Sequence, residues 1–509
     1  MKEIKPLKIP RRLRHVRPNR PRQITLVILL GIVWIFSSTL LSLSVWYGAT
    51  FDMEFAELLY TLLSPVGGTG QSTLSQIFSA CLPPVLILLA LYVAVAVLLL
   101  YFNNRTTRTL RRIGAWFCLI AFFLSSVFAV QTFRIPQYVE RQMGHTLIYD
   151  DYYVDPEDVE IVDEDGNPKN LICIYLESME TTYASVDAGG KQPIHNYIPN
   201  LTALAEEHLS FSNDTDLGGF HSITGTAWTM GALMSSTSGV PFSNEVFRDE
   251  QGNSQGYYGN FANRLSASGD ILEEKGYRQE FLCGSDAGFA GRDAYFTQHG
   301  GYEIFDLYDA REEGYIPEDY MVWWGYEDHI LFDIAKDELL ELAAEEQPFN
   351  FTMLTVDTHH VGGYFCEECG YEYPTVLENV VACTDRLIKE FISWCEEQDF
   401  YEDSVIVILG DHPRMDRQLV DGVDFYDRTV YNCFINAEGE VQRLQNRTFT
   451  SMDLFPTILS AMGYTVEGDR LGLGTNLFSN LPTLAEEYGY DWLESEIAKY
   501  STYYLLNFL

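Results

Sequence analysis

The chain has 509 residues, a formal net charge of −39 and several uncharged apolar stretches near its start. That length exceeds one ordinary domain, and the acidity argues against binding to nucleic acid or to an anionic membrane face, because both are polyanions. Residues 24–46, 82–102 and 113–133 are each long and apolar enough to cross about 30 Å of hydrocarbon. A cleaved secretory signal does not explain the first stretch, since two more follow it. We therefore predict a membrane-anchored protein with three spans.

The charge of the short loops predicts the orientation of these spans. Residues 1–22 carry nine Lys and Arg, residues 103–112 carry four, and the loop between the first two spans carries none. Because basic loops stay in the cytoplasm, residues 1–23 and the second loop are predicted to be cytoplasmic, and the chain after the third span lies outside. That outer part keeps 20 basic and 68 acidic residues, a formal charge near −48.

The outer part divides into three segments. Residues 134–168 are acidic and turn-rich, which predicts a linker, and residues 481–509 form an amphipathic appendage. Between them, residues 169–480 alternate short apolar runs with helical patterns, which predicts an α/β domain with a mostly parallel sheet and helices on both faces. The expected strands are LICIYL (171–176), RQEFLCG (278–284), FTMLTV (351–356) and SVIVILG (404–410).

Acids, hydroxyls and imidazoles directly follow all four predicted strands. In open α/β sheets, ligands bind beyond the carboxyl ends of the strands, so these side chains should gather at one edge. Asp and Ser at such turns also serve as helix caps, but capping does not require histidines after two of the strands. The residues are Glu177; Ser285 and Asp286; Asp357, Thr358 and His359; and Asp411 and His412.

A divalent metal ion suits part of this set. Glu177, Asp411 and His412 offer oxygen and nitrogen ligands, which fit Mn²⁺ best and also Mg²⁺ or Zn²⁺. Such an ion would lower the pKa of a coordinated hydroxyl, so a threonine could act as a nucleophile without a histidine base. Thr229, in SITGTAWTMGAL, begins a helical pattern whose N-terminus suits phosphate, although it could equally be a helix N-cap.

Other residues of the outer domain have two interpretations each. Thr224 and Thr226 are expected to shape the turn before Thr229. His359 could donate a proton to a leaving group, and Arg292 could hold a substrate phosphate or lie on the surface beside Asp293. The paired tryptophans of WWGYEDH (323–329) could line a pocket for a sugar or glycerol, or pack in the core.

Three cysteines lie close together in the outer sequence, at Cys366, Cys369 and Cys383. A CEEC motif with one further cysteine is a weak zinc signal, because a structural zinc site normally has four ligands. Disulfides persist outside the cytoplasm, so we expect a Cys369 to Cys383 disulfide, with free thiols as the open alternative.

The motifs, taken in order, resemble the alkaline phosphatase and sulfatase superfamily, and within it the lipoteichoic acid synthase and membrane phosphoglycerol transferase group. The resemblance runs from about residue 151 to residue 479. It rests on YDDYYVDP, NLICIYLESMETTY, YIPNLTALA, TGTAWTMGALMSSTSGVPF, GFAGRDAYFTQHGGYE, TVDTHH, ILGDH, SMDLFPTILSAMGY and GLGTNLFS. Relatives usually have four or five spans, so the segment 49–79 is a candidate re-entrant element.

The resemblance implies a fold, a reaction and a site. A phosphatidylglycerol headgroup from the outer leaflet would form a phosphoglyceryl-threonine intermediate. An acceptor hydroxyl of a glycan, a glycolipid or a polyglycerol-phosphate chain would then displace the threonine. The implied location is the bacterial cell membrane, with a multi-pass anchor and an extracytoplasmic catalytic domain. The implied roles are nucleophile for Thr229, substrate binding for Arg292 and His359, and metal binding for Glu177, Thr229, Asp411 and His412.

Two other functions remain open. A phosphoethanolamine transferase of the same superfamily would share the fold, the anchor and the threonine nucleophile. A non-catalytic scaffold that binds a polymer would need no intact metal and nucleophile set. A sulfatase would need a C/S-x-P-S-R segment, and GTAWTMG contains neither the proline nor the arginine.

Overall fold

A computed structural model of the chain describes residues 21–51, 53, 55–63, 71–102, 105–163, 166, 169–243 and 261–509. The chain forms two compact units, one of Met1–Thr50 with Ser72–Pro136 and one of Phe51–Gln71 with Gln137–Leu509. The predicted cytoplasmic segment 1–23 lies almost entirely outside the described residues, as do residues 64–70 of the candidate re-entrant segment.

The first unit contains three long apolar helices, α1 (Pro21–Thr50), α3 (Gln71–Tyr101) and α4 (Arg105–Thr132). Each is long and apolar enough to cross a membrane. Their large apolar side chains are mostly exposed, as at Ile87 and Phe123, and such surfaces need lipid or a protein partner. The three predicted spans are thus found as helices, each longer than its predicted apolar stretch.

The candidate re-entrant segment is partly described. Residues Phe55–Leu63 form helix α2, which belongs to the second unit, and Phe55 packs edge-on against Tyr138 at 5.1 Å between ring centroids. Entry of this segment into the membrane stays a prediction.

The second unit is built on a six-stranded mixed sheet. Its strands are β2 (Asn170–Leu176), β3 (Arg278–Cys283), β4 (Glu303–Phe305), β5 (Phe349–Leu354), β6 (Ser404–Gly410) and β7 (Asn432–Ile435). Their order is β4-β3-β5-β2-β6-β7, and all neighbours are parallel except the antiparallel pair of β6 and β7. The predicted mostly parallel sheet and all four predicted strands are confirmed.

Helices cover both faces of this sheet, as its fully buried strands require. On one face, Ile172 and Ile174 of β2 pack into a core shared with helices α7 (Pro199–Glu207), α12 (Asp328–Ala343) and α13 (Val376–Cys395). On the other face, the Tyr175 hydroxyl contacts Ser236 of α8 (Thr229–Ser238) at 2.8 Å. The remaining elements around the sheet are α9 (Ser268–Glu274), α10 (Arg292–Gln298), α11 (Leu307–Glu312), α14 (Leu454–Ala461), β8 (Tyr464–Val466), β9 (Arg470–Leu471) and β10 (Gly474–Thr475).

The segment 134–168 differs from the predicted linker. It contains helix α5 (Ile135–Met143), helix α6 (Ile148–Tyr152) and strand β1 (Ile161–Asp163), and β1 pairs with β8. The C-terminal segment folds back onto the same region as α15 (Leu484–Tyr488), α16 (Tyr490–Ile497) and α17 (Thr502–Asn507). The rings of Tyr504 and Phe508 lie 5.6 and 5.7 Å from the ring of buried Tyr149. The described part of the predicted linker from residue 137 on and the predicted appendage therefore belong to the second unit.

The predicted Cys369 to Cys383 disulfide is absent. All nine cysteines of the chain lie among the described residues, and all are buried and free. The thiols of Cys366, Cys369 and Cys383 nevertheless lie together in one cluster.

The contact between α6 and α17 generates a stability prediction. Tyr149→Ala removes a buried ring from a cluster of aromatic side chains, and we expect it to lower the free energy of unfolding of the second unit by about 3 kcal/mol. The measurement is denaturant unfolding of the full chain in detergent. Tyr371→Ala is the matched control, because the Tyr371 ring is 89% exposed. Equal stability of the two variants would contradict the packing described for residues 134–168.

Candidate active site

Two neighbouring strands bring the candidate metal ligands together. Leu176 at the end of β2 pairs with Gly410 at the end of β6, so Glu177 and Asp411 leave adjacent strands at the same level. Gly410 must be glycine, since a Cβ at that position would lie 2.0 Å from the carbonyl oxygen of Met179. Ligand atoms of Glu177, Asp411 and His412 all lie within 4.8 Å of one another.

The two oxygens of Asp411 have different surroundings. Its Oδ1 accepts hydrogen bonds from the backbone N–H groups of Ser178 and His412, both at 2.7 Å. The first bond depends on a left-handed backbone at Ser178, with φ of 52°. Its Oδ2 is buried and has no hydrogen-bond partner in the described part of the chain. A buried oxygen without a partner is costly, and a bound cation would satisfy it.

Glu177 is held at both its backbone and its side chain. Its N–H donates to Thr355 Oγ1 at 3.0 Å, and its carbonyl accepts from Thr358 Oγ1 at 2.5 Å. Its Oε1 accepts from Ser178 Oγ at 2.6 Å, and its Oε2 accepts from Thr229 Oγ1 at 3.2 Å. The carboxylate therefore points at the hydroxyl of Thr229 from a fixed position.

The orientation of His412 leaves one ring nitrogen free to bind a metal. Its Nδ1 lies 2.9 Å from the carbonyl oxygen of Pro413, which can only accept, so Nδ1 carries the proton. Its Nε2 then presents a lone pair to the cluster, 3.3 Å from both Thr229 Oγ1 and Asp411 Oδ2. The hydrogen bond from Nδ1 to the Pro413 carbonyl fixes the tautomer of the ring, as is usual for metal-binding histidines.

Thr229 is the first residue of α8, and Trp228 occupies the N-cap position without a side-chain cap. The N-cap interpretation of Thr229 is therefore wrong, because its hydroxyl faces Glu177 and His412. The other two threonines are structural, as expected. Thr226 Oγ1 donates to the carbonyl oxygen of Ile223 at 3.0 Å, and Thr224 Oγ1 donates to Glu494 at 2.6 Å.

The electrostatics of the cluster also fit a cation. Burial and the neighbouring charge of Glu177 raise the pKa of Asp411 to about 7. Burial alone would raise the pKa of Glu177 as well, but electrostatic interactions with His359 and His412 outweigh it and lower this pKa. Two carboxylates buried this close resist simultaneous ionisation, and a divalent ion would remove that conflict.

His359 lies on the wall of the site. Its pKa is lowered by burial, against the opposing charge of Glu177, and its Nδ1 lies 2.7 Å from the carbonyl oxygen of His360. Trp324 packs against its ring at 4.6 Å between centroids, and the indole Nε1 of Trp324 is buried without a hydrogen-bond partner among the described residues. Trp324 is thus packed in the core, which was one of its two predicted roles. Its indole N–H nevertheless lies beside His359 and could donate a hydrogen bond to a ligand.

Arg292 is buried rather than superficial. Its Nη2 donates to Ser285 Oγ at 3.0 Å and to the carbonyl oxygen of Asp286 at 2.7 Å, and its Nε donates to the carbonyl oxygen of Phe289. None of these bonds reaches the cluster formed by Glu177, Asp411 and His412 or the hydroxyl of Thr229. Phe289 instead packs on Trp324 at 5.4 Å between ring centroids, so the rings of Phe289 and Trp324 connect Arg292 to His359.

A buried ionic network behind the cluster was not predicted from the sequence. Arg414 donates to the carbonyl oxygen of Thr358 at 2.6 Å and forms a two-bond pair with Asp416. Glu180 accepts from the Arg414 N–H at 2.7 Å and pairs with the side chain of Arg428. The one available signal was the position of Arg414, two residues after His412 in DHPR.

The sequence profile of the sulfatase family matches residues 169–464 of this chain. Two curated relatives are proteins named phosphoglycerol transferase I. The relative from Salmonella choleraesuis is 31% identical over 83% of this chain and 52% of its own length. The relative from Xanthomonas campestris pv. campestris is 29% identical over 84% of this chain and 58% of its own length. The chain therefore spans about half the length of the curated relatives it matches.

Two solved structures are also similar to part or most of this chain. The lipoteichoic acid synthase LtaP from Listeria monocytogenes is 19% identical, with a TM-score of 0.45 over 65% of this chain and 80% of that chain. The integral membrane protein lipooligosaccharide phosphoethanolamine transferase A from Neisseria meningitidis is 14% identical, with a TM-score of 0.49 over 86% of this chain and 84% of that chain.

The cluster generates a prediction about metal binding and pH. Because the pKa of Asp411 is raised to about 7, protons compete with the metal below that pH. The affinity for Mn²⁺ should rise from pH 6 through pH 7 and level off about one pH unit above that pKa, with release of about one proton or more per ion at pH 6. Calorimetry in buffers of different ionisation enthalpy measures both quantities.

Asp411→Asn should lower the Mn²⁺ affinity more than about 100-fold. Even mutation of residues that only contact the ligands commonly lowers metal affinity about 10-fold to 100-fold. Asp421→Asn is the control, because the Asp421 side chain is exposed and pairs with Arg417 on the surface. Unchanged affinity in Asp411→Asn would exclude this cluster as the Mn²⁺ site.

Proposed function

Because this chain belongs to the sulfatase family, we propose that it is a membrane-anchored, metal-dependent phosphoglycerol transferase. It moves glycerol phosphate from phosphatidylglycerol to a hydroxyl of a glycan, a glycolipid or a polyglycerol-phosphate chain. The observation that carries the proposal is the position of the Thr229 hydroxyl, at a helix N-terminus and within hydrogen-bond reach of both Glu177 and His412.

The first step forms a covalent intermediate on Thr229. Its Oγ1 attacks the phosphorus of the donor, the bond from phosphorus to the diacylglycerol oxygen breaks, and the phosphoglyceryl group remains on the threonine. The hydroxyl proton leaves toward the buried bases around it, of which Glu177 is the one already hydrogen-bonded to the hydroxyl. The departing diacylglycerol oxygen takes up one proton, from His359 or from water.

The second step is the reverse reaction with a different alcohol. An acceptor hydroxyl attacks the same phosphorus, loses its proton and displaces the Thr229 oxygen, which is reprotonated. Neutral His359 suits removal of the acceptor proton, because burial lowers its pKa. An anionic phosphate beside the ring would raise that pKa, which favours proton donation in the first step.

The N-terminus of α8 supports binding of the donor phosphate. The first backbone N–H groups of a helix have no intrahelical partner, and they carry the positive end of the helix dipole. Arg292 is proposed to hold the phosphoglycerol group together with His359, because Phe289 beside Arg292 packs on Trp324, and Trp324 packs on His359. To contact both Arg292 and His359, the donor would enter along the edge of the sheet where the strands end.

Glu177, Thr229, Asp411 and His412 would hold one divalent ion, and their oxygen-rich set favours Mn²⁺ over Zn²⁺. When bound, the ion supplies positive charge that favours the ionised form of the Thr229 hydroxyl and neutralises the phosphate. The residues themselves supply the fixed geometry, since each has a second hydrogen-bond partner within the protein.

The membrane location follows from the donor. A lipid donor must be met at a bilayer surface, and three helices of this chain are long and apolar enough to provide an anchor. We propose a multi-pass protein of the bacterial cell membrane whose catalytic domain is extracytoplasmic, on the charge bias of its loops.

The nucleophile generates the test of this function. Purified full chain with Mn²⁺ and fluorescent phosphatidylglycerol should release diacylglycerol, and Thr229→Ala should lower that rate at least about 1,000-fold because the attacking oxygen is lost. Thr229→Ser should keep measurable activity, and Thr215→Ala, at an exposed position, should be unaffected.

Mass spectrometry of the trapped protein should find a phosphoglyceryl group on the peptide that contains Thr229. Diacylglycerol release by Thr229→Ala at the wild-type rate would contradict the assigned nucleophile. Cleavage of phosphatidylethanolamine instead of phosphatidylglycerol would identify a phosphoethanolamine transferase, and cleavage of neither lipid would favour the non-catalytic scaffold.

A further inference from the structure

A cluster of thiols lies outside the site described above. The Sγ atom of Cys366 is 3.4 Å from that of Cys369 and 3.9 Å from that of Cys383, and all three sulfurs lie within 4.8 Å of one another. The three side chains are buried, and none forms a disulfide. The other cysteines of the second unit belong to no such group among the described residues.

The spacing of the sulfurs fits a tetrahedral metal site. With Zn–S bonds of about 2.3 Å, neighbouring thiolates of a tetrahedral zinc site lie roughly 3.8 Å apart. The two measured separations, 3.4 and 3.9 Å, bracket that value. The N–H of Cys369 also donates to the carbonyl oxygen of Cys366 at 3.2 Å, which forms the tight turn that lets both sulfurs face one point.

Two further residues complete the surroundings of the cluster. His329, the second residue of α12, lies close enough to Cys366 for the thiol to raise the pKa of its imidazole. Its Nδ1 is buried and has no hydrogen-bond partner among the described residues. Arg386 places a guanidinium nitrogen 3.7 Å from Cys383 Sγ, and positive charge at that distance favours thiolates.

We propose that Cys366, Cys369, Cys383 and His329 bind a structural Zn²⁺ ion, separate from the metal at Glu177, Asp411 and His412. Three thiolates and one imidazole form a ligand set found in structural zinc sites, and their softness selects zinc over manganese. The sequence argument against zinc was the lack of a fourth ligand, and His329 supplies it from a distant part of the chain.

The proposed ion would hold a loop that has little secondary structure. Residues 361–375 form turns and irregular backbone between β5 and α13, and they directly follow His359. Two ligands lie in this loop, one lies on α13 and one lies on α12. The ion would therefore join the loop to α12 and α13, two of the helices that cover this face of the sheet.

The test measures zinc in the full chain, purified in detergent without chelators. The Asp411→Asn background removes the oxygen-rich metal site, and it should retain about one Zn²⁺ per chain. Adding Cys383→Ser to that background should reduce the content at least about 10-fold, and adding His329→Gln should weaken zinc retention against a chelator. Cys395→Ala, on the same helix as Cys383, is the matched control and should keep the zinc.

Cobalt gives a spectroscopic readout that does not depend on activity. Co²⁺ in the Asp411→Asn protein should show thiolate charge-transfer absorption, and Cys383→Ser should remove it. If that variant does not fold, a thiol-specific mercurial added to the folded Asp411→Asn protein should release one Zn²⁺ as the three cysteines react. A disulfide between any two of these cysteines in non-reducing peptide mapping, or no zinc released by the mercurial, would overturn the proposal. Neither result would bear on the Thr229 reaction.

Discussion

The active-site edge of this protein depends on two carboxylates that are buried side by side. Glu177 and Asp411 leave paired strands at the same level, and neither side chain is more than 2% exposed. Burial and the charge of Glu177 raise the pKa of Asp411 to about 7, so the pair resists full ionisation without a cation. Because the sheet register holds these two carboxylates together, the pair lowers the free energy of unfolding, and binding of a divalent ion would offset that loss.

The surrounding network explains why the pair does not simply relax apart. Each carboxylate oxygen except Asp411 Oδ2 is fixed by a hydrogen bond, and the left-handed Ser178 turn aims its N–H at Asp411. Arg414 then fixes Thr358, whose hydroxyl holds the carbonyl of Glu177. These bonds lock the ligand positions in advance, which lowers the ordering cost when a metal and a phosphate bind.

The sequence predicted the parts of this arrangement that are local. Buried parallel strands are continuous apolar runs, so β2, β3, β5 and β6 were found, and the residues after them were candidates for that reason alone. The short strands β4 and β7 lack such runs. The folding of residues 134–168 onto α17 escaped prediction because polar, turn-rich composition does not reveal a partner segment more than 300 residues away. Arg414 and His329 escaped for the same reason: their roles depend on contacts across the chain.

The loop after β5 shows how these distant contacts act together. Asp328, the first residue of α12, accepts hydrogen bonds from the N–H groups of Val356 and Asp357, at the start of the loop that carries His359. His329, the next residue, faces the thiol cluster at the far side of that loop. One helix start thus contacts the loop before and after His359. Polar bonds to buried backbone hold the start of the loop, and the side chain of Asn379 on α13 holds its far part by accepting from the N–H groups of Glu372 and Tyr373 at 2.8 and 2.9 Å. The thiol cluster lies between these two attachments, so the position of His359 depends on contacts made by the chain on both sides of it.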